Sequence, residues 1–158
     1  MSERIGFYIR TRKYGWMSNF HPAKQVVDGI EYSSNEHYYQ SQKAKDEQVR
    51  SWIASAPKPY HAMKAGRALR SNEMRPGWAE AKVGVMLTGL RAKFSQNPEL
   101  RQALIDTGDA EIFENSPTDK FWGGALPNSS NLLGELLMQV RLEIIQEAGG
   151  KQWIRQRE

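Results

Sequence analysis

The chain has no cysteine. That absence removes disulfides, thiolate metal sites and cysteine nucleophiles together, and it fits a cytoplasmic protein. Only three histidines are present, His21, His37 and His61. They are too few and too scattered for a metal site. No apolar run approaches the ~20 residues that span a bilayer, so no membrane segment is expected. The opening MSERIGFYIR lacks the apolar core of a signal peptide, which argues against secretion. No repeat or low-complexity segment interrupts the sequence.

What is present describes a globular domain. A chain of 158 residues can build one domain with a sizeable core, taking up the whole of residues 1–158. Hydrophobic residues make up 39% and charged residues 25%, which separates the chain from disordered sequences. The formal charge of +4 and a pI near 9.4 suit a phosphate-bearing ligand or nucleic acid. Five tryptophans add the capacity to stack on a base or ring.

The coarse pattern is helical. IGFYI (residues 5–9) reads as a first strand. QVVDGIEY (25–32) reads as a β-hairpin around Asp28-Gly29. Helices are expected over about 35–45, 46–56, 60–70 and 76–95, the last with Pro76 in its first turn. Pro98 opens another, ended by Gly108. Short strands are expected at 110–114 and at DKFWG (119–123). A final helix begins near Asn131 and should close at Gly149-Gly150. The sum is an α+β fold, a mostly helical single domain with a small antiparallel β-sheet.

The stretch SSNEHYYQSQK (33–43) is the least ordinary. Read as a helix capped by Ser33 or Ser34, it places Glu36, Tyr39, Gln40 and Lys43 on one face. No aliphatic residue lies within it. Such a helix packs through its aromatics or lines a polar cleft. Glu36 and Lys43 are ~10 Å apart along the axis, and both side chains can reach one ligand. A carboxylate there can serve as general acid or base, or stabilise a cationic sugar. A lysine in a dry pocket can lose its proton and attack a carbonyl-like carbon. The plain alternative is a pair of solvated helix charges beside two packed tyrosines.

Other segments carry the same kind of choice. In GWMSNFHP (15–22), Asn19 either packs a turn or holds a ligand edge. In AGRALRS (65–71), Arg67 is a surface charge or a phosphate contact. Trp78 is a core residue or a stacking platform. In TDKFWGG (118–124), Asp119 and Trp122 stand beside two glycines that permit close backbone approach. NLLGELLMQVR (131–141) reads as core.

Taken in order, IGFY, GWMSNFHP, SNEHYYQSQK, AGRALR, PGWAEAKVGVMLTGLRAKF, TDKFWG and NLLGELLMQVR resemble the NADAR (YbiA-like) family over about residues 5–146. The resemblance implies an α+β domain that hydrolyses N-glycosidic bonds without metal or cofactor. Two substrate classes go with it. One is the ribosylamino-pyrimidine phosphates of riboflavin synthesis, cleaved to ribose 5-phosphate and base. The other is ADP-ribosylated guanine in nucleic acid. A third reading is a binding module for ADP-ribose or a nucleotide without chemistry. By the resemblance Glu36 and Lys43 are the catalytic candidates, Lys43 as a Schiff-base nucleophile. The resemblance also carries Asn19, Trp78, Asp119 and Trp122 over as substrate-binding candidates, and the helix face and the charge add Tyr39 and Arg67. The segment GGALPNSSN after Trp122 departs from the family pattern, being shorter and less basic than in metabolic members. If it touches phosphate, phosphate handling differs here.

Overall fold

The computed structural model describes residues 3–9 and 12–155. Strand β1 (Arg4–Phe7) is followed by a 3-10 turn at Gly15–Met17, then by the hairpin β2 (Gln25–Val27) and β3 (Ile30–Tyr32). Helices α1 (Asn35–Gln42), α2 (Glu47–Ala54), α3 (Pro59–Arg67), α4 (Trp78–Gln96) and α5 (Pro98–Asp106) come next. Strand β4 (Glu111–Glu114) and helix α6 (Leu132–Arg155) complete the order. The architecture is the expected one, mostly helical α+β with little sheet.

The sheet departs from expectation in its pairing. β2 and β3 are antiparallel, with Val27 opposite Ile30. Their turn residues Asp28 and Gly29 have φ of 51° and 77°, as a two-residue type I′ turn requires. β1, however, pairs with β4, and in parallel: Ile5 opposite Ile112, Phe7 opposite Glu114. The result is two separate two-stranded sheets. Parallel strands need a long crossover, and α1 to α5 together supply it.

Three other expectations are corrected. Residues 119–123 form no strand. Asp119 Oδ1 accepts the N–H groups of both Phe121 and Trp122 at 2.8 Å, so the side chain draws the backbone into a turn. Pro76 lies outside α4, because Gly77 at φ 72° is the residue before its first turn. Gly149-Gly150 does not stop α6. Gly149 keeps a negative φ instead of the left-handed conformation that ends a helix.

The core gathers Phe7, Met86, Leu90, Phe94, Leu104, Ile112, Leu133, Leu137 and Val140 between α4, α6 and the parallel strands. A smaller cluster of Ala44, Ile53 and Ala62 joins α2 and α3 to the end of α1. α1 is the hub: it packs against α2, α3, α4 and β3. Two glycines let it do so. A Cβ on Gly66 of α3 would stand 2.0 Å from Gln40 Oε1, and one on Gly89 of α4 would stand 2.1 Å from Asn35 Oδ1.

Lys93 is fully buried on α4. Its Nζ donates to the carbonyls of Trp16 at 2.7 Å and Ser18 at 2.9 Å, which fixes the loop ahead of Asn19. Burial pulls its ammonium down to about 7. The unfolded lysine titrates near ~10.4, so between these values the unfolded chain binds more protons and stability rises with pH. Lys93→Met strips the Trp16 and Ser18 carbonyls, the second of them buried, of their donor. It should cost about 3 kcal/mol or more and remove that pH slope. Denaturant unfolding at pH 6, 7.5 and 9 checks both outcomes.

Candidate active site

α1 begins with a strong cap. Ser34 has extended backbone angles, and its Oγ accepts the His37 N–H at 3.2 Å. The His37 ring lies between Ser34 Oγ, 2.7 Å from Nδ1, and the Ala56 carbonyl, 2.8 Å from Nε2. In the neutral ring Nε2 therefore carries the proton and donates to that carbonyl. This anchors the helix start to the segment after α2.

A second set of bonds fixes the same turn from the loop side. The Glu36 N–H donates to the Asn19 carbonyl at 3.0 Å. Asn35 Nδ2 donates to Asn19 Oδ1 at 2.8 Å, and Gln25 Nε2 donates to Asn35 Oδ1 at 3.0 Å. Asn19 is buried and spends its amide oxygen on this network.

The polar stripe of α1 faces a cavity of about 230 Å³. Glu36, Tyr39, Gln40 and Lys43 all line it. Asn19, Arg67, Asp119 and Trp122 line it too, brought from the first loop, from α3 and from the turn after β4. Of the sequence candidates only Trp78 stands apart. It is buried in the core behind Tyr39, with ring centres 5.3 Å apart. The segment GGALPNSSN contributes no wall residue. Its place is structural, with Ser130 N–H on the Lys120 carbonyl and Asn131 N–H on the Gly123 carbonyl.

Each wall residue has a distinct setting. Glu36 is buried, and its Oε1 accepts from Gln40 Nε2 at 2.7 Å. Burial pushes its carboxyl up, opposed by that hydrogen bond and by the charges of Lys43 and Arg67. Lys43 is pulled down by burial, opposed by Glu36 and helped by Arg67 and Lys82. Its Nζ lies 5.5 Å from the Tyr39 ring centre. Tyr39 meets Trp122 edge-on at 5.8 Å. Burial pushes the Tyr39 phenol up, so it stays protonated and can donate. Arg67 is exposed and marks the mouth.

Sequence reading missed two charged neighbours. Glu114, at the end of β4, lines the cavity. The period of two along the strand puts it on the same side as the buried Ile112, which was the available signal. Lys82 sits 3.9 Å from the Phe121 ring centre, close enough to Lys43 to act on its charge. Among the described residues no group of three or more His, Asp or Glu side chains is placed to hold a metal ion.

A small helical α+β domain thus holds a polar cavity with acids and a lysine against an aromatic wall. The chain belongs to the NADAR domain family, whose model matches residues 6–145. It is 40% identical over 141 residues to the N-glycosidase YbiA of Escherichia coli (strain K12), covering 89% of this chain and 88% of that protein. It is 38% identical over 144 residues to the N-glycosidase Npun_R5314 of Nostoc punctiforme, covering 89% and 92%. It is 36% identical over 149 residues to the riboflavin biosynthesis protein VVA0006 of Vibrio vulnificus, covering 94% of this chain and 40% of that one. The NMR structure of the E. coli protein YbiA superposes with a TM-score of 0.84 at 39% identity, over 94% of this chain and 89% of that one.

Proposed function

We propose that this protein is an N-glycosidase that hydrolyses ribosylamino-pyrimidine phosphates and releases ribose 5-phosphate. The observation that carries the proposal is the shared cavity of Glu36, Lys43, Arg67, Asp119, Tyr39 and Trp122. The names of the relatives support it: two are N-glycosidases and one is a riboflavin biosynthesis protein. The cavity is smaller than the ~300–1,000 Å³ of drug-sized ligand sites. That favours a compact ribosyl phosphate over the longer ADP-ribose.

The chemistry follows from the wall. Arg67 at the mouth, with Lys82 nearby, suits the phosphate. The Tyr39–Trp122 edge suits the flat base. The neutral Lys43 Nζ attacks the anomeric carbon, the bond from that carbon to the ring oxygen breaks, and the oxygen takes a proton from Nζ. The bond to the base nitrogen breaks, its electron pair stays on nitrogen, and an imine to Lys43 remains. Water adds to that carbon, giving a proton to the Glu36 carboxylate, and Lys43 leaves as the amine. No cofactor enters the scheme.

The test is a side-by-side turnover assay. The purified protein receives a ribosylamino-pyrimidine phosphate in one arm and a DNA oligonucleotide bearing ADP-ribosylated guanine in the other. Release of ribose 5-phosphate in the first arm is expected. Release of ADP-ribose in the second arm alone moves the activity to nucleic acid. Binding of either without cleavage leaves a binding module and overturns the enzyme.

A further inference from the structure

Three carboxylates face the cavity: Glu36, Asp119 and Glu114. Asp119 is committed to its turn, where Oδ1 holds two backbone N–H groups. Glu36 is held by Gln40 and faces Lys43 and Arg67. Glu114 is different. Its backbone is fixed on both sides, by the parallel pairing to Phe7 and by Gly124 N–H on its carbonyl at 2.9 Å. Its side chain has neither a hydrogen bond nor an ion pair among the described residues. A half-buried carboxyl on a rigid strand end, aimed into a cavity and without a protein partner, is placed to meet a ligand.

We infer that Glu114 is a further catalytic residue of this cavity, the general acid that protonates the departing base nitrogen. The inference rests on the N-glycosidase reading and adds the proton donor it lacks. In the cleavage step the Glu114 carboxyl gives its proton to nitrogen as the bond from the anomeric carbon breaks. Water later supplies hydroxyl to that carbon. The water proton, taken first by Glu36, returns to Glu114, so the enzyme ends as it began.

The electrostatic setting agrees with this division of labour. The charged and titratable groups facing Glu114 are Asp119 from the following turn, Glu36, Tyr39 and Lys43 from α1, and Arg67 from α3. The first loop and α6 present Ser18, Asn19, Phe20 and Leu133, none of them charged. Burial, then Asp119, then Glu36 push the Glu114 carboxyl up to about 7. Glu36 is pushed up by burial but held down by Gln40, Lys43 and Arg67. Both carboxyls are pushed up, but only at Glu36 do a hydrogen bond and two cations oppose the push, and that difference suits Glu114 to the acid role and Glu36 to the base role.

The test has a kinetic arm and a substrate-free arm. Glu114→Gln should lower kcat on the ribosylamino-pyrimidine phosphate by roughly 10²–10³-fold at pH 7, with KM within about threefold. The alkaline fall of the wild-type kcat profile near pH 7 should vanish in that variant. Formate should restore part of the kcat of Glu114→Ala. In the substrate-free arm, carbon-detected NMR follows the carboxyl carbons of the full chain. Glu114 should titrate near 7, and lower in Glu36→Gln. If the wild type cleaves no such substrate, the functional reading fails, and the NMR arm still decides the residue. Titration of Glu114 in the ordinary carboxylate range, near ~4.3, overturns the inference. So does a Glu114→Gln variant with the wild-type kcat and pH profile.

Discussion

Glu36→Gln is expected to lower kcat on a ribosylamino-pyrimidine phosphate by roughly 10²–10⁴-fold and to leave KM within about threefold. The substitution keeps the shape of the side chain and the acceptor for Gln40 Nε2, now 2.7 Å from Oε1. What it removes is the ability to take a proton. An effect confined to kcat is the mark of a group used in the transition state. A binding module predicts the reverse. Removing a carboxylate beside an anionic ligand should then hold or raise affinity. Turnover within threefold of wild type, measured by ribose 5-phosphate release, would remove Glu36 from the chemistry.

The same variant has a stability signature. Burial raises the Glu36 carboxyl in the folded protein, so the folded state binds this proton more tightly than the unfolded chain. Stability from this group is therefore greatest at low pH and is lost as pH rises from ~4.3 through the raised folded value. Gln has nothing to lose in that window. At pH 7 the variant should melt at or above the wild type while being nearly inactive. Thermal unfolding of both proteins at pH 5 and pH 7 measures the difference. A residue that costs stability and supports turnover is what a site selected for function looks like.

How much of this was legible depends on the distance over which each feature is encoded. The α1 stripe was readable because helical period alone decides that Glu36, Tyr39, Gln40 and Lys43 share a face, and all four line the cavity. The hairpin was readable because Asp28-Gly29 prescribes its own turn. The β1–β4 pairing was not, since nothing in four residues names a parallel partner across five helices. Glu114 is legible only in part: the period of two puts it on the side of Ile112, but that this side meets the cavity follows from the pairing. The 119–123 turn was misread as a strand because Phe121 and Trp122 are strand-forming types, while Asp119 overrides them through its side chain. Lys93 carried a local signal that went unused. It lies three residues after Leu90 and seven after Met86, both buried, so it belongs to the core face of α4.

Lys43 gives the second large effect. A lysine that acts only as a charge can be replaced by arginine with modest loss. One that forms a covalent bond cannot, because guanidinium does not lose its proton. Burial lowers the Lys43 ammonium, and Arg67 and Lys82 add to that, so more neutral amine is present than on a surface lysine. Its position at the end of α1, with its N–H on the Gln40 carbonyl at 3.2 Å and its carbonyl accepting from the Arg75 N–H at 2.7 Å, fixes the backbone that carries the amine. Lys43→Arg and Lys43→Met should therefore both lose roughly 10³-fold or more in kcat. Borohydride added during turnover should reduce the imine to a secondary amine, leaving a ribose phosphate adduct on Lys43 in the wild type and none in Lys43→Arg. If Lys43→Arg stays within tenfold of wild type and no adduct forms, the lysine acts through its charge. Cleavage then passes through a free sugar cation facing Glu36, the one buried carboxylate aligned with it on the same helix face.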